Sequence, residues 1–217
     1  ADKLSDIDVV IEMVDARLPM SSSNPMLAAL IQHKPSLKIL NKQDLADAAQ
    51  TRAWLDWFAG QRNTRAIALD SGDGSPKQKI LAACRELAPH RVDSVKPLRL
   101  VICGIPNVGK STLINALTGR KVAKVGNEPA VTKAQQRIQL ADDVILFDTP
   151  GMLWPKIEHE TCGEHLAASG AVGRNAYDEE LVALELLRRL QGAYADLLEA
   201  RYRLGLSAQA IAALPDH

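Results

Sequence analysis

The segment Gly104-Ile-Pro-Asn107-Val108-Gly109-Lys110-Ser111-Thr112 satisfies the spacing G-x-x-x-x-G-K-[ST], and each fixed position has a chemical reason. Gly104 and Gly109 let the backbone enter conformations closed to residues with a Cβ, so the N–H groups around Asn107, Val108 and Gly109 turn inward as an anion-binding nest. Lys110 adds a point charge for β- and γ-phosphates, and the Ser111 hydroxyl is a candidate ligand of Mg²⁺. Ser111 and Thr112 open an apolar helical pattern whose N-terminus would face the phosphates, directly after the strand-like run Leu98 to Cys103.

A second group, Asp148-Thr-Pro-Gly151, follows the apolar run Val144 to Phe147. A carboxylate at a strand tip holds a water on Mg²⁺, and a glycine three residues later offers its N–H to a γ-phosphate without steric obstruction. Between these groups, Thr132 is the natural candidate for a second protein oxygen on Mg²⁺, its bland alternative being an exposed loop threonine. Lys110, Thr132 and Gly151 are therefore the candidate catalytic residues, and Ser111, Thr132 and Asp148 (through water) the candidate metal set.

Asn41-Lys42-Gln43-Asp44 lies upstream of the phosphate loop and follows the short apolar run Leu37 to Leu40. Guanine presents N1–H and an exocyclic amine on one edge, and one carboxylate, Asp44, accepts from both. Adenine lacks that pair of donors. Two charge-assisted hydrogen bonds of roughly 1.5–3 kcal/mol each make guanine preferred over adenine by several kcal/mol. A further strand, Arg65 to Leu69, ends at Asp70-Ser71-Gly72, where the N–H near Ser71 is a candidate partner of guanine O6. Together these residues read as a GTP- and GDP-binding site with its motifs in rotated order.

That order, base motif first and phosphate loop later, resembles the circularly permuted GTPases; Ras-like proteins begin with the phosphate loop. Asp15-Ala-Arg-Leu-Pro19, Ser22-Ser-Asn24-Pro25, Val125-Gly-Asn-Glu-Pro-Ala-Val-Thr132-Lys-Ala-Gln-Gln136 and Leu153-Trp-Pro-Lys156 extend the likeness over most of the chain, to the ribosome biogenesis GTPase A family. The resemblance implies a cytoplasmic GTPase acting in maturation of the large (50S) ribosomal subunit. Such a protein binds the precursor particle and its rRNA in the GTP state and leaves after hydrolysis. The reading from another class is a nucleotide-dependent binding switch or scaffold with negligible hydrolysis of its own.

The sequence departs from the family at several points. Ala130 stands where the family usually has glycine, and the family's N-terminal Pro-Gly-His-Met motif, whose histidine is a candidate for orienting the attacking water, does not occur. Because no initiator Met precedes Ala1, the sequence reads as a fragment or as one that omits disordered residues. Met152 occupies the place at which Ras-like enzymes carry a water-positioning glutamine, and a thioether is a poor hydrogen-bonding group. Slow intrinsic turnover, completed on the ribosomal particle, is the expectation. Asn107 has two readings: it resembles GTPases that recruit K⁺ beside the phosphates, and it also suits a surface loop amide.

These residues need a scaffold that brings strand ends together. Apolar periodicity predicts strands near 7–14, 37–40, 65–69, 99–103, 137–141 and 144–148, with helices at 25–32, 47–59, 76–87 and 110–118 between most of them. Such alternation implies an α/β fold: a Ras-like P-loop GTPase domain, residues 1–155, with a mostly parallel six-stranded sheet covered on both faces. The last two strands are too close for a crossover and form a hairpin turning at Ala141-Asp142-Asp143. Residues 156–217 read as a small all-helical region, with a helix capped by Asp178 running to Tyr202 and a short one over 207–214. Its leucine stripe has two uses, packing on the GTPase core or a neighbouring helix, or facing the ribosome.

At 217 residues and 47% hydrophobic, the chain is long enough to bury a full core. No apolar run approaches the roughly 20 residues of a membrane span, so no membrane partner is expected. Cys84, Cys103 and Cys162 follow no disulfide pattern, which argues against a disulfide partner and for a reducing compartment. His159, Cys162 and His165 fall at helix-like intervals without an evident fourth ligand and read as ordinary surface side chains. Net charge is zero, so bulk electrostatics predicts no RNA binding; the local group Arg120, Lys121, Lys124, Lys133 and Arg137, opposed by Glu128, suits either rRNA phosphates or solvent.

Overall fold

A computed structural model of the chain describes residues 4–31, 33–70, 74, 76–92, 94–123, 136–157 and 159–213. Ser71 and Thr132 lie outside them, as do Lys124, Glu128, Ala130 and Lys133. The chain divides into two compact units, Ala1–Glu158 and His159–His217.

In the first unit, strands β1 (Val9–Asp15), β2 (Ser36–Asn41), β3 (Thr64–Ala68), β4 (Leu98–Gly104), β5 (Gln136–Ala141) and β6 (Val144–Asp148) form one sheet of order β3-β2-β1-β4-β6-β5. Every pairing is parallel except β5 with β6, the expected hairpin. β1 is buried along its whole length, which is why Val-Val-Ile-Glu-Met-Val reads as a nearly continuous apolar run. β5 sits at the edge and alternates exposed and buried residues, with a register shift between Gln139 and Ala141 beside the turn.

Helices α1 (Pro19–Ser22), α2 (Pro25–Leu30), α3 (Ala48–Ala59), α4 (Pro76–Leu87) and α5 (Lys110–Thr118) connect the strands. Their starts follow local chemistry: Asn24 accepts from the N–H groups of Met26 and Leu27, and Asp47 from that of Gln50. Val10, Glu12 and Val14 alternate with their neighbours and so share one face of β1. On that face Val10 clusters with Ile7, Ile31, Val101 and Cys103, and Val14 with Ala16, Leu40, Phe58 and Ala68.

Glu12 lies between these apolar clusters and is fully buried. One carboxylate oxygen accepts from Ser23 Oγ (3.1 Å) and the Asn24 N–H (2.9 Å), and the other from Lys38 Nζ. Lys38, also buried, donates to Ser23 Oγ at 3.2 Å and stands 5.2 Å from the centre of the Phe58 ring. A buried charge pair is tolerated when its remaining hydrogen-bonding capacity is satisfied, and here the satisfying groups come from the segment entering α2. The pair therefore ties residues 23–24 to the sheet.

The second unit contains α6 (Glu160–Ala168), α7 (Glu179–Ala193), α8 (Ala195–Tyr202) and α9 (Ala208–Ala212). Asp178 caps α7 as predicted, accepting from the N–H groups of Glu180 and Leu181. The single helix expected to Tyr202 is instead two. Tyr194, at φ −135° and ψ 33°, ends α7 and starts α8, just after the weak helix former Gly192. α6 lies in the region read as all-helical, but Glu160 to Ala168 lacks a continuous apolar stripe, so periodicity assigns no separate helix there. No helix among the described residues is long and apolar enough to cross a membrane.

Removing one member of the Glu12–Lys38 pair leaves the other charge buried. Lys38→Met is expected to destabilise the protein by about 3–5 kcal/mol, and the double change Glu12→Gln with Lys38→Met by clearly less. Urea denaturation of the three proteins checks this; equal losses in the single and double variants would contradict it.

Candidate nucleotide site

The parallel register sets the carboxyl ends of β2, β1, β4 and β6 side by side: Asp15 lies opposite Asn41, Met13 opposite Gly104, and Ile102 opposite Asp148. Residues leaving these ends form the site, as Asn41 ends β2, Lys42 follows it, Gly104 ends β4 and Asp148 ends β6.

The loop from Gly104 to Gly109 requires its glycines. Gly104 (φ +156°) lies so close to β1 that a Cβ would be 2.6 Å from the Met13 carbonyl oxygen. Gly109 (φ +103°) precedes α5, and a Cβ there would meet Asn41 Nδ2 at 2.4 Å. Asn107 between them is left-handed at φ 56°. Ser111 is half-buried and Thr112 exposed in the first turn of α5.

Two side chains of the upstream motif reach this loop directly. Asn41 Nδ2 donates to the Val108 carbonyl at 2.8 Å, and Lys42 Nζ donates to the Asn107 carbonyl at 3.0 Å. Asp44 is exposed in the 3-10 turn Gln43–Leu45. Gln43 secures that turn: its N–H donates to the Leu69 carbonyl (3.1 Å) and its Nε2 to Asp70 Oδ2 (3.2 Å), the residue before Ser71. Sequence reasoning assigned Gln43 nothing, since the position is variable in the pattern.

Lys110 is buried behind the loop, where burial lowers its pKa and the nearby Asp148 carboxylate opposes that effect. Asp148 is buried as well; burial raises its pKa, and Lys110 counteracts this. Neither carboxylate oxygen of Asp148 meets a donor at ordinary hydrogen-bond geometry among the described residues, although the neighbouring Thr149 N–H, like Lys110, favours the charged form. A buried acceptor in that condition is costly unless a donor such as metal-bound water supplies the hydrogen bond. Gly151 rests on the phosphate loop: a Cβ there would stand 3.1 Å from Pro106 Cα and 3.2 Å from Lys110 Nζ. The next residue, Met152, donates its N–H to the Gly104 carbonyl (3.3 Å) and leaves its side chain exposed.

Asp15 is a residue the motif reading did not single out for the site. Its carboxylate, 1% exposed, receives Arg17 Nε (2.9 Å), Arg17 Nη2 (2.7 Å) and Lys42 Nζ (3.0 Å). These cations outweigh burial, the largest single influence, and hold its pKa below the ordinary Asp value. The available signal was an acid at the end of a buried strand with an arginine two residues on. Of the basic group, Arg120, Lys121 and Arg137 are exposed.

Comparison with known proteins gives a consistent picture. A family model described as a 50S ribosome-binding GTPase matches residues 99–189. Ribosome biogenesis GTPase A of Bacillus cereus is 43% identical over 210 residues, spanning 94% of this chain and 71% of the relative. Mitochondrial ribosome-associated GTPase 1 of Xenopus tropicalis is 36% identical, over 85% of this chain and 63% of its own length. A crystal structure of GNP-bound YlqF from T. maritima superposes with a TM-score of 0.65 at 27% identity, covering 97% of this chain and 87% of that one.

The depressed pKa of Asp15 makes its stabilisation depend on pH. Because the folded value lies below the unfolded one, the contribution is complete above the ordinary Asp range of about 3.9 and is lost as pH falls through the folded value. Urea denaturation from pH 7 to pH 3 is therefore expected to show a constant advantage of wild type over Asp15→Asn down to about pH 5 and a shrinking one below. An advantage that grew on acidification would contradict this.

Proposed function

The chain belongs to the ribosome biogenesis GTPase A family, and we propose that it binds GTP at the strand ends and uses its hydrolysis to time an assembly step on the large ribosomal subunit. GTPase activity comes with membership of that family. In the finer reading, the cytoplasmic protein engages the precursor particle and its rRNA in the GTP state and leaves after hydrolysis, through a GTPase domain of residues 1–155 and a helical region of 156–217.

The observation that carries the site assignment is the contact of Asn41 and Lys42 with the carbonyls of Val108 and Asn107, which makes one pocket of two distant motifs. In that pocket the N–H groups of residues 107–112 receive the phosphates and Lys110 lies against the β- and γ-phosphates. Asp44 accepts from guanine N1–H and N2 on the turn that Gln43 fastens to Leu69 and Asp70, and the backbone N–H near Ser71 is the proposed partner of guanine O6. Gly151 offers its N–H to the γ-phosphate.

GTPases of this kind typically depend on Mg²⁺, and the donors here fit it: all are oxygens, and the Asp148 carboxylate has two buried acceptors in want of donors. Ser111, Thr132 and, through water, Asp148 are the residues that would hold the ion, which neutralises phosphate charge when bound. Asn107 is the proposed side-chain ligand of K⁺.

Met152 supports slow intrinsic turnover. Its exposed thioether is no substitute for a group that orients water, so the ribosomal particle completes the site. In single-turnover measurements, hydrolysis is expected to rise about tenfold or more with large-subunit precursors. Equal rates with and without them would defeat the proposed coupling, and no hydrolysis in either case would favour a pure binding switch. Asp44→Asn is expected to weaken GDP binding about a hundredfold or more and to shift preference toward xanthine nucleotides. Calorimetric titration with GDP and XDP checks this; unchanged GDP affinity would refute the base contact.

A further inference from the structure

Asp15 touches neither purine nor phosphate in the site as proposed, yet one of its bonds reaches Lys42 of the base motif. It ends β1, the strand between the one that carries the base motif and the one that carries the phosphate loop. Its backbone is fixed, with the N–H donating to Ser22 Oγ at 2.9 Å, and Ser22 Oγ in turn donating to the Leu18 carbonyl at 2.8 Å. Its carboxylate is divided between two cations. Oδ1 accepts from the Arg17 N–H (3.1 Å) and Nε (2.9 Å), while Oδ2 accepts from Arg17 Nη2 (2.7 Å) and Lys42 Nζ (3.0 Å).

Lys42 has need of such an anchor. Its backbone is left-handed at φ 61°, an uncommon state for a residue with a side chain, and its side chain remains 25% exposed. A lysine has a long flexible stem and loses much rotamer freedom when its ammonium is held in one place. The Asn107 carbonyl alone offers a single neutral acceptor. A buried carboxylate on the middle strand supplies the charge that keeps the ammonium at that carbonyl, and it screens Lys42 from Arg17 beside it.

We propose that Asp15 is a positioning residue for guanine-nucleotide binding: by holding Lys42 against the Asn107 carbonyl, it latches the base-reading turn to the phosphate loop, so that a bound nucleotide is gripped at both ends by one continuous surface. The inference rests on the site given under the proposed function. It predicts a particular kind of defect. Without the latch, GDP and GTP leave faster by similar factors, whereas discrimination between guanine and hypoxanthine, which depends on Asp44, is unchanged.

The test is a double-mutant cycle on the full chain with Asp15→Asn, Lys42→Met and the two combined. Release of a fluorescent GDP is followed by stopped-flow displacement, with GDP and IDP affinities measured in parallel. Asp15→Asn is expected to speed release about tenfold, equivalent to ~1.4 kcal/mol. In the Lys42→Met background the same change should alter release less than about twofold, because the residue it acts through is gone. The ratio of GDP to IDP affinity should match wild type. Unaltered release in Asp15→Asn, or the same factor in both backgrounds, would overturn the inference and leave Asp15 a purely structural residue. If Asp15→Asn does not fold, Asp15→Glu, which keeps the charge but displaces it by a methylene, is put through the same cycle. It should speed release severalfold in the wild-type background and leave it unchanged with Lys42→Met, and equal factors would again overturn the proposal. The two readings fail separately: an Asp44→Asn variant that retains wild-type GDP preference defeats the site itself, whereas an additive cycle in a protein with Asp44-dependent binding defeats only the role of Asp15.

Discussion

Two hydrogen bonds, from Asn41 to the Val108 carbonyl and from Lys42 to the Asn107 carbonyl, join parts of the chain more than sixty residues apart. They require β2 and β4 to end close together on either side of β1, and the parallel register provides that, pairing Asn41 with Asp15 and Gly104 with Met13, two residues apart on β1. Neighbouring strands are about 4.8 Å apart, so the ends of β2 and β4 are separated by about twice that. A long side chain crosses the gap, and the middle strand supplies an acid half-way. The proposed site thus depends on the sheet before it depends on any loop.

That dependence explains why motif order along the chain is immaterial. A site at the carboxyl ends of parallel strands is indifferent to which strand comes first, provided that the spatial order is kept. Here the strand bearing the phosphate loop is β4, and the strand bearing the base motif precedes it as β2. Circular permutation moves the chain ends and leaves the spatial neighbours in place. Asp8, next to the start of β1, accepts from Arg91 Nε at 2.8 Å and from the Arg99 N–H at 2.9 Å, tying both the segment before β4 and β4 itself to β1.

Polar groups are buried in two places with different consequences. Glu12 and Lys38 satisfy each other and the segment entering α2, which makes them part of the fold. Lys110 and Asp148 are buried beside each other with their pKa values shifted by that burial, and the Asp148 oxygens meet no donor at ordinary hydrogen-bond geometry among the described residues. A fold gains nothing from such an arrangement by itself. In the proposed function, phosphates beside Lys110 and a hydrated cation beside Asp148 would offset that burial, as expected where stability is given up for function.

The amino-acid sequence by itself determined the elements whose signals are local. Apolar runs mark the six strands to within two residues at every end, and Asn24, Asp47 and Asp178 cap helices through their own side chains. The phosphate loop was legible because its fixed residues are contiguous in sequence, although the groups that crowd Gly104 and Gly109, Met13 and Asn41, belong to β1 and β2. Only the tertiary structure decided the break at Tyr194, the existence of α6, the fastening of Gln43 to Asp70, and the place of Asp15 between Arg17 and Lys42. The break and α6 had no periodic signal to betray them, and the contacts made by Gln43 and Asp15 join residues up to 27 apart, across strands whose alignment no local pattern records. A side chain's propensity belongs to its neighbours in sequence, whereas its electrostatic partners are set by which strand ends the sheet brings together.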